Sequence, residues 1–323
     1  IIYKEKGDLD KAEEMINKSL EINTLLEKNA GISNNLTTLG SILQTRGELD
    51  DAIDLYNKSI EISKKTNSMV GMASNYANIG IVLQVKEKYD DAEKMHNRAL
   101  VIYEKIGRLE GVANQYGNLG NNFLGKGDLD KALAMYSESL RINNHIGSLK
   151  GIAYNYGNLG IVLRTKGDLN GAELMHRKAL EVSEKIGGLK GVAIHCGNIG
   201  SILLLKGDIE GAEIMCERAL RIDEKMGHIE GVANQYETLG DIYNSKGELD
   251  NSEELYHSAI VLNKKLNRSK KIAILFGKIG DIKKKKREII SASEFYRKSY
   301  EIASANDFIS IIELLEKKMK DLK

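Results

Sequence analysis

From Leu109 to Phe123 the residues Leu109, Val112, Ala113, Tyr116, Leu119, Gly120 and Phe123 fall three and four positions apart, the spacing of one buried stripe on an α-helix. Lys126 then places a cation at the C-terminal turn, Gly127 can enter the left-handed region, and Asp128 stands ready to cap whatever helix follows. That second helix carries Leu129, Ala132, Leu133, Met135, Tyr136, Leu140 and Ile142, and it ends at Gly147. The pattern predicts two antiparallel helices joined by a glycine turn.

The hairpin repeats. Glycine occupies positions 40, 80, 120, 160, 200, 240 and 280, each preceded by Leu or Ile. Three residues before that aliphatic stand Leu36, Tyr76, Tyr116, Tyr156, Cys196, Tyr236 and Phe276, and twelve residues after the glycine stand Ala52, Ala92, Ala132, Ala172, Ala212, Ser252 and Ala292. The segment EGVANQY occurs at Glu110 and again at Glu230, three periods later. Self-similarity at this period marks stacked supersecondary units that share a continuous core. Glycine inside a helix costs about 1 kcal/mol against alanine, so its recurrence requires a packing reason. Gly120 and Ala132 are expected to meet at the closest approach of the two helices, with Tyr116 and Tyr136 as larger flanking residues. Asn67, Gly107, Gly187, Gly227 and Asn267 close the second helices as Gly147 does.

The order aromatic, Leu-Gly, aliphatic or aromatic, then Gly-Asp-Leu-Asp-x-Ala, aromatic, Ala or Ser, Leu resembles the tetratricopeptide repeat. The forty-residue period is similar to the long variant of kinesin light chain and of the spindle-orientation adaptors with Leu-Gly-Asn repeats. The resemblance implies an all-α fold, a right-handed α-solenoid of helical hairpins whose first helices line an inner groove. The common form of the family ends each unit with proline, and this chain has none. Lys64, Glu104, Asn144, Glu184, Glu224 and Lys264 stand there instead, so each second helix is expected to run on by about half a turn or more. The period divides the chain into a partial repeat at 1–28, seven hairpins over 29–306, and a capping helix at 307–323 with the stripe Phe308, Ile311, Ile312, Leu315, Met319 and Leu322. Ile1 falls near the end of a first helix, which suggests a fragment or processed product.

Composition narrows the class. With 323 residues, 42% hydrophobic and 29% charged, the chain has enough apolar surface for an extended core, and no run approaches a membrane span. Two cysteines in this length point to a reducing compartment, most simply the cytoplasm. Residues 261–323 carry 17 Lys or Arg against 8 Asp or Glu, a net of +9, leaving 30 against 38, a net of −8, for residues 1–260. The densest run, Lys283 to Arg287, reads as a solvated helix end rather than a nucleic-acid or anionic-surface site. Lys286 continues the basic position of Lys126, Lys166, Lys206 and Lys246, and few stacking groups accompany it.

Catalytic sets are not found, so the expectation is a non-enzymatic chain without cofactor or metal. The stretch Gly120–Gly127, GNNFLGKG, nearly spells a phosphate-binding loop, but Gly127 replaces the required Ser or Thr and a helix, not a strand, precedes it. His96 and His176 take the place of Tyr56, Tyr136, Tyr256 and Tyr296 and read as core substitutes. Cys196, Cys216 and His195 are a weak metal signal, with buried free thiols the expected outcome.

The remaining candidate is the groove. Asn78, Asn118, Asn158 and Asn198 recur one residue before the Leu-Gly or Ile-Gly pair, off the core face. The resemblance implies that these amides face the concave surface and bond the backbone of an extended peptide, a role suited to a group with both donor and acceptor. Gly117, Gly157, Gly197 and Gly277 are expected to leave room for a ligand main chain. Specificity is expected from Asn121, Ile161 and Asp241, one past the glycine, and from Arg164 in the next row. The reading is a scaffold for a protein or peptide partner, with no nucleic acid and no membrane. Its alternative is the sensor region of a larger signalling protein.

Overall fold

The computed structural model describes residues 9–322, and among them every regular element is a helix, sixteen in all. The described residues form two compact units, the first ending at Lys166 and the second starting at Gly167. The first unit contains α1 (Leu9–Leu25), α2 (Asn29–Arg46), α3 (Leu49–Lys65), α4 (Met69–Val85), α5 (Tyr89–Lys105), α6 (Leu109–Lys126), α7 (Leu129–His145) and α8 (Leu149–Thr165). The second contains α9 (Leu169–Lys185), α10 (Leu189–Lys206), α11 (Ile209–Met226), α12 (Ile229–Lys246), α13 (Leu249–Lys265), α14 (Ser269–Lys285), α15 (Ile289–Ser304) and α16 (Ile309–Lys320). Within each unit, consecutive helices pack as hairpins and each hairpin packs on the next.

The turns follow the sequence. Gly127 lies at φ +80, and Asn67 and Asn267 at φ +53, all left-handed. The Asp128 carboxylate accepts from the Lys131 amide at 3.2 Å and so caps α7. The residues that replace proline lie inside their helices. The part of the N-terminal repeat before Leu9 lies outside the described residues.

The forty-residue glycine lies closest to the residue sixteen positions later, and at Gly200 the Ala212 carbonyl is near as well, 3.0 Å from a built Cβ. A Cβ on Gly120 would sit 2.5 Å from the Tyr136 ring, and the same holds for Gly240 with Tyr256 and Gly280 with Tyr296, while Gly40 faces Tyr56 at 2.8 Å. Glycine is therefore a socket for the ring sixteen residues later, and four such tyrosines are at most 1% exposed. Gly80 receives His96 instead, and Gly200 receives Cys216. Ala132 is itself fully buried beside the socket. The small alanine lets the helices approach, and the ring fills the space that remains.

A second glycine series, absent from the sequence reading, faces the preceding helix at positions 31, 71, 111, 151, 191 and 231, with Lys271 in its place in the next hairpin. Gly71 faces Ser63 Oγ at 2.6 Å and Gly191 faces Ser183 Oγ at 2.7 Å, measured from a built Cβ, and Gly31, Gly111, Gly151 and Gly231 likewise face Asn23, Tyr103, Asn143 and Asp223. At the C-terminus Leu315 is 2% exposed and packs with Ala292 and Tyr296, joined by Ile311, Met319 and Leu322.

Gly120→Leu would drive a side chain into the Tyr136 ring. It should lower unfolding free energy by about 1–3 kcal/mol, the usual cost of overpacking, as read by chemical denaturation. An unchanged midpoint would refute the socket.

Candidate functional site

Asn78 on α4 and Asn118 on α6 are half-buried and line one pocket of about 490 Å³ in the first unit. Asn114, Gly117, Asn143, Lys150, Tyr154 and Asn155 share its wall. Carboxamides dominate the lining and Lys150 carries its charge. Asn158, on α8, holds a buried Nδ2 with no hydrogen-bond partner, which differs from the solvent-facing amide that the spacing implies. Asn198 is half-buried on α10 of the second unit. Ile161 and Arg164, toward the end of α8, are half-buried as well.

Two of the expected specificity residues are already engaged. Tyr136 Oη donates to Asn121 Oδ1 at 2.7 Å, and Asn121 Nδ2 donates to Tyr154 Oη at 2.8 Å, so this amide fastens the socketed ring to the next hairpin. Asp241 accepts from Tyr256 Oη at 2.6 Å and from Lys278 Nζ at 2.8 Å, and Asp281 accepts from Tyr296 Oη at 2.8 Å and from Lys318 Nζ at 2.6 Å. The position after the glycine thus serves the core on one side and the open face on the other. Nor does every small residue leave room. A Cβ on Gly197 would lie 2.6 Å from Gln235 Nε2, so the neighbouring helix fills that space.

Lys278 occupies the position held by Asn78 and Asn118 in earlier repeats. It reaches back to Glu237 at 3.0 Å as well as to Asp241, and Lys271 meets Glu237 at 2.7 Å. Burial pushes the Glu237 carboxyl up, but Lys278 and Lys271 outweigh it and hold the group below the usual carboxylate range. Burial likewise pulls Lys278 down, and Glu237 and Asp241 more than restore it.

The basic position at the end of each first helix is a ladder of ion pairs to the preceding second helix. Lys126 meets Asp90 at 2.6 Å and Glu93 at 3.0 Å, Lys206 meets Glu173 at 2.7 Å, and Lys286 meets Asp250 at 2.6 Å and Glu253 at 2.8 Å. Lys283 is paired with Glu253 and Glu288, so Lys283 and Lys286 in the basic run are matched by acid, while Lys285 meets Asn244 Oδ1 at 2.7 Å. Residues Gly120 to Lys126 are helical, which gives them no free amides with which to cradle a phosphate.

His96, His176, His195, Cys196 and Cys216 sit in the core. His96 is fully buried, with Nδ1 3.1 Å from Gln115 Oε1, and burial lowers its pKa. His176 lies 5.7 Å from His195 by ring centroids, and burial brings His195 down to about 4. Cys196 and Cys216 are free, buried and packed with Val192, Ile199 and Leu239, and burial pushes the Cys216 thiol up to about 12. Among the described residues no three His, Cys, Asp or Glu side chains converge to hold a metal ion.

Sequence reasoning passed over a polar set that recurs with its own spacing. Asn35, Asn75 and Asn155 donate Nδ2 to Ser19, Ser59 and Ser139 Oγ, sixteen residues earlier, at 3.0, 3.0 and 2.9 Å. The Ser/Asn pairing at a fixed interval was the signal that could have revealed it.

Hairpins repeated along the chain, with carboxamides lining a pocket of the first unit, define a helical-repeat protein. The chain belongs to the tetratricopeptide-repeat family: residues 84–276 match the MalT-like TPR region and residues 1–65 the tetratricopeptide repeat. The apo form of the quorum sensor NprR from B. thuringiensis superimposes with a TM-score of 0.74 at 16% identity, over 93% of this chain and 84% of that one. The STAND protein with a tetratricopeptide repeat sensor from Pyrococcus horikoshii gives 0.72 at 14% identity, over 91% of this chain and 46% of that one. A Rap protein complexed with Competence and Sporulation Factor gives 0.60 at 18% identity, over 85% and 80%. These likenesses show the fold. No curated protein sequence matches the chain significantly.

Lys278→Met should destabilise the protein by about 2 kcal/mol at pH 7, below the 3–5 kcal/mol typical of a broken buried pair because Lys271 still faces Glu237. The depressed Glu237 pKa stabilises the fold above the unfolded value of roughly 4.3, and this contribution is lost as pH falls through the folded value. The gap between parent and variant in denaturation curves should therefore close below about pH 4. A pH-independent gap would remove the ion network from the explanation. Lys126→Ala should leave calorimetric titration with ATP and magnesium as featureless as the parent's, since this lysine is spent on Asp90 and Glu93.

Proposed function

We propose that the chain is a non-enzymatic binding module that holds an extended peptide segment of a partner protein, or of another domain of its own protein, against the first helices. The observation that carries this reading is the pocket of the first unit, where Asn78, Asn114 and Asn118 bring unspent carboxamides to one concave wall. A peptide backbone offers alternating N–H and C=O groups, and carboxamides meet both without regard to sequence. Asn158 and Asn198 extend the same series. Asn121, Ile161, Arg164 and Asp241 tune side-chain preference, the first and last through the hydroxyls and amine they already hold. A Rap protein of this fold is complexed with Competence and Sporulation Factor and NprR is a quorum sensor, which supports a binding role for this chain as well.

A second reading has its own support. The chain covers less than half of the STAND protein, in which a tetratricopeptide sensor accompanies other domains, so the module can equally be the sensor of a larger signalling protein. In either case residues 1–28 act as a partial repeat, 29–306 as seven hairpins and 307–323 as a cap. A reducing compartment, most simply the cytoplasm, suits the two free buried thiols. No helix among the described residues is long and apolar enough to cross a membrane, and within the Lys283–Arg287 run Lys283 and Lys286 are engaged by carboxylates of the chain itself, which argues against a nucleic-acid partner.

The test is a displayed random-peptide library panned against the intact chain, followed by fluorescence titration of a retained peptide. Asn78→Ala with Asn118→Ala should weaken it roughly 5- to 150-fold if each loses one hydrogen bond of about 0.5–1.5 kcal/mol, with an unchanged melting curve. Equal binding by the double variant would move the site elsewhere.

A further inference from the structure

Two copies of the Ser/Asn pairing in the first unit differ at one atom. Asn75 on α4 donates Nδ2 to Ser59 Oγ and to the Gly71 carbonyl, and its Oδ1 accepts from Thr37 Oγ1 at 3.0 Å. Thr37 Oγ1 lies 2.9 Å from Ser59 Oγ, so hydroxyl, hydroxyl and amide close a compact network. Eighty residues later Asn155 repeats the arrangement, donating Nδ2 to Ser139 Oγ at 2.9 Å and to the Gly151 carbonyl at 2.8 Å. The counterpart of Thr37, however, is Gly117. Asn155 is fully buried, and its Oδ1 has no hydrogen-bond partner.

The missing hydroxyl leaves space as well as an unmet acceptor. A Cβ on Gly117 would find Tyr154 Cε1 at 3.5 Å and Ser139 Oγ at 3.7 Å, ordinary contacts that admit a small group. Gly117, Ser139, Tyr154 and Asn155 all line the pocket that holds Asn118, so the niche opens onto the candidate groove. At Gly197, by contrast, Gln235 fills the equivalent space from within. A buried carbonyl oxygen without a donor is costly, and an incoming N–H or O–H relieves that cost.

We propose that the niche between Gly117 and Asn155 is a subsite for the hydroxyl side chain of a serine or threonine in the bound peptide. That residue does for Asn155 what Thr37 does for Asn75: its hydroxyl donates to Oδ1 while its carbon atoms rest where a side chain on residue 117 would lie. A charged donor fits poorly, because Asn155 is withdrawn from water and Lys150 lines the same pocket. The inference rests on the groove reading above and adds the chemical class of one anchoring residue.

The experiment uses the intact chain and the peptides retained from the random-peptide library. They should share a Ser or Thr at one position, and replacing it by Val should weaken binding about tenfold. Gly117→Thr, which carries its own hydroxyl into the niche, should bind the parent peptides about tenfold more weakly or worse while melting no lower than the parent chain. Gly117→Ala, which occupies the space without the hydroxyl, should also weaken binding and supplies the readout if the threonine variant does not fold. Retained peptides with no shared hydroxyl, or full affinity in both variants, would overturn the subsite. Affinity lost in Asn78→Ala with Asn118→Ala but kept in Gly117→Thr would remove the subsite and leave the groove, whereas a library that yields no retained peptide would overturn both.

Discussion

The seating of one side chain in the space left by a missing one underlies most of this structure. Where a first helix carries glycine, the ring or thiol sixteen residues later lies against its backbone, as Tyr136 does on Gly120. The contact sets how closely the two helices of a hairpin approach, and it buries a large side chain on a unit too small to have a core of its own. It also delivers a phenol hydroxyl to a defined place. Tyr136, Tyr256 and Tyr296 reach past the glycine to Asn121, Asp241 and Asp281, the residue that follows the socket, whereas Tyr56 donates to Gln44 Oε1 at 3.0 Å. Core packing and the polar character of the inner face are thereby coupled through one pair of positions.

The same positions explain why the two units differ in chemistry. In the first unit Asn78 and Asn118 line the pocket with their side-chain amides. In the second, Asn198 and Thr238 hold the position first, and Lys278 and Lys318 then stand there and turn inward to Glu237, Asp241 and Asp281. An ammonium there is tolerable because neighbouring carboxylates match it. The positive excess of residues 261–323 is accordingly spent to a large extent inside the repeat array, on pairs such as Lys283 with Glu253 and Lys286 with Asp250.

The sequence by itself determined the helices, their forty-residue period, the left-handed closures at Asn67, Gly127 and Asn267, the cap at Asp128 and the burial of His96, Cys196 and Cys216. Each of these depends on the spacing of residues along one or two helices, and spacing is what a sequence displays. Only the tertiary structure decided that Tyr136 rather than Ala132 fills the space over Gly120, that Asn121 and Asp241 are already bonded, that Gln235 occupies the room beside Gly197, and that Asn155 lacks the hydroxyl its counterpart Asn75 enjoys. These outcomes join side chains on different helices, many of them 33 to 38 residues apart in the chain. Which atoms meet there depends on the rotation and offset of one hairpin on the next, set by packing in three dimensions and invisible to the period that generates it.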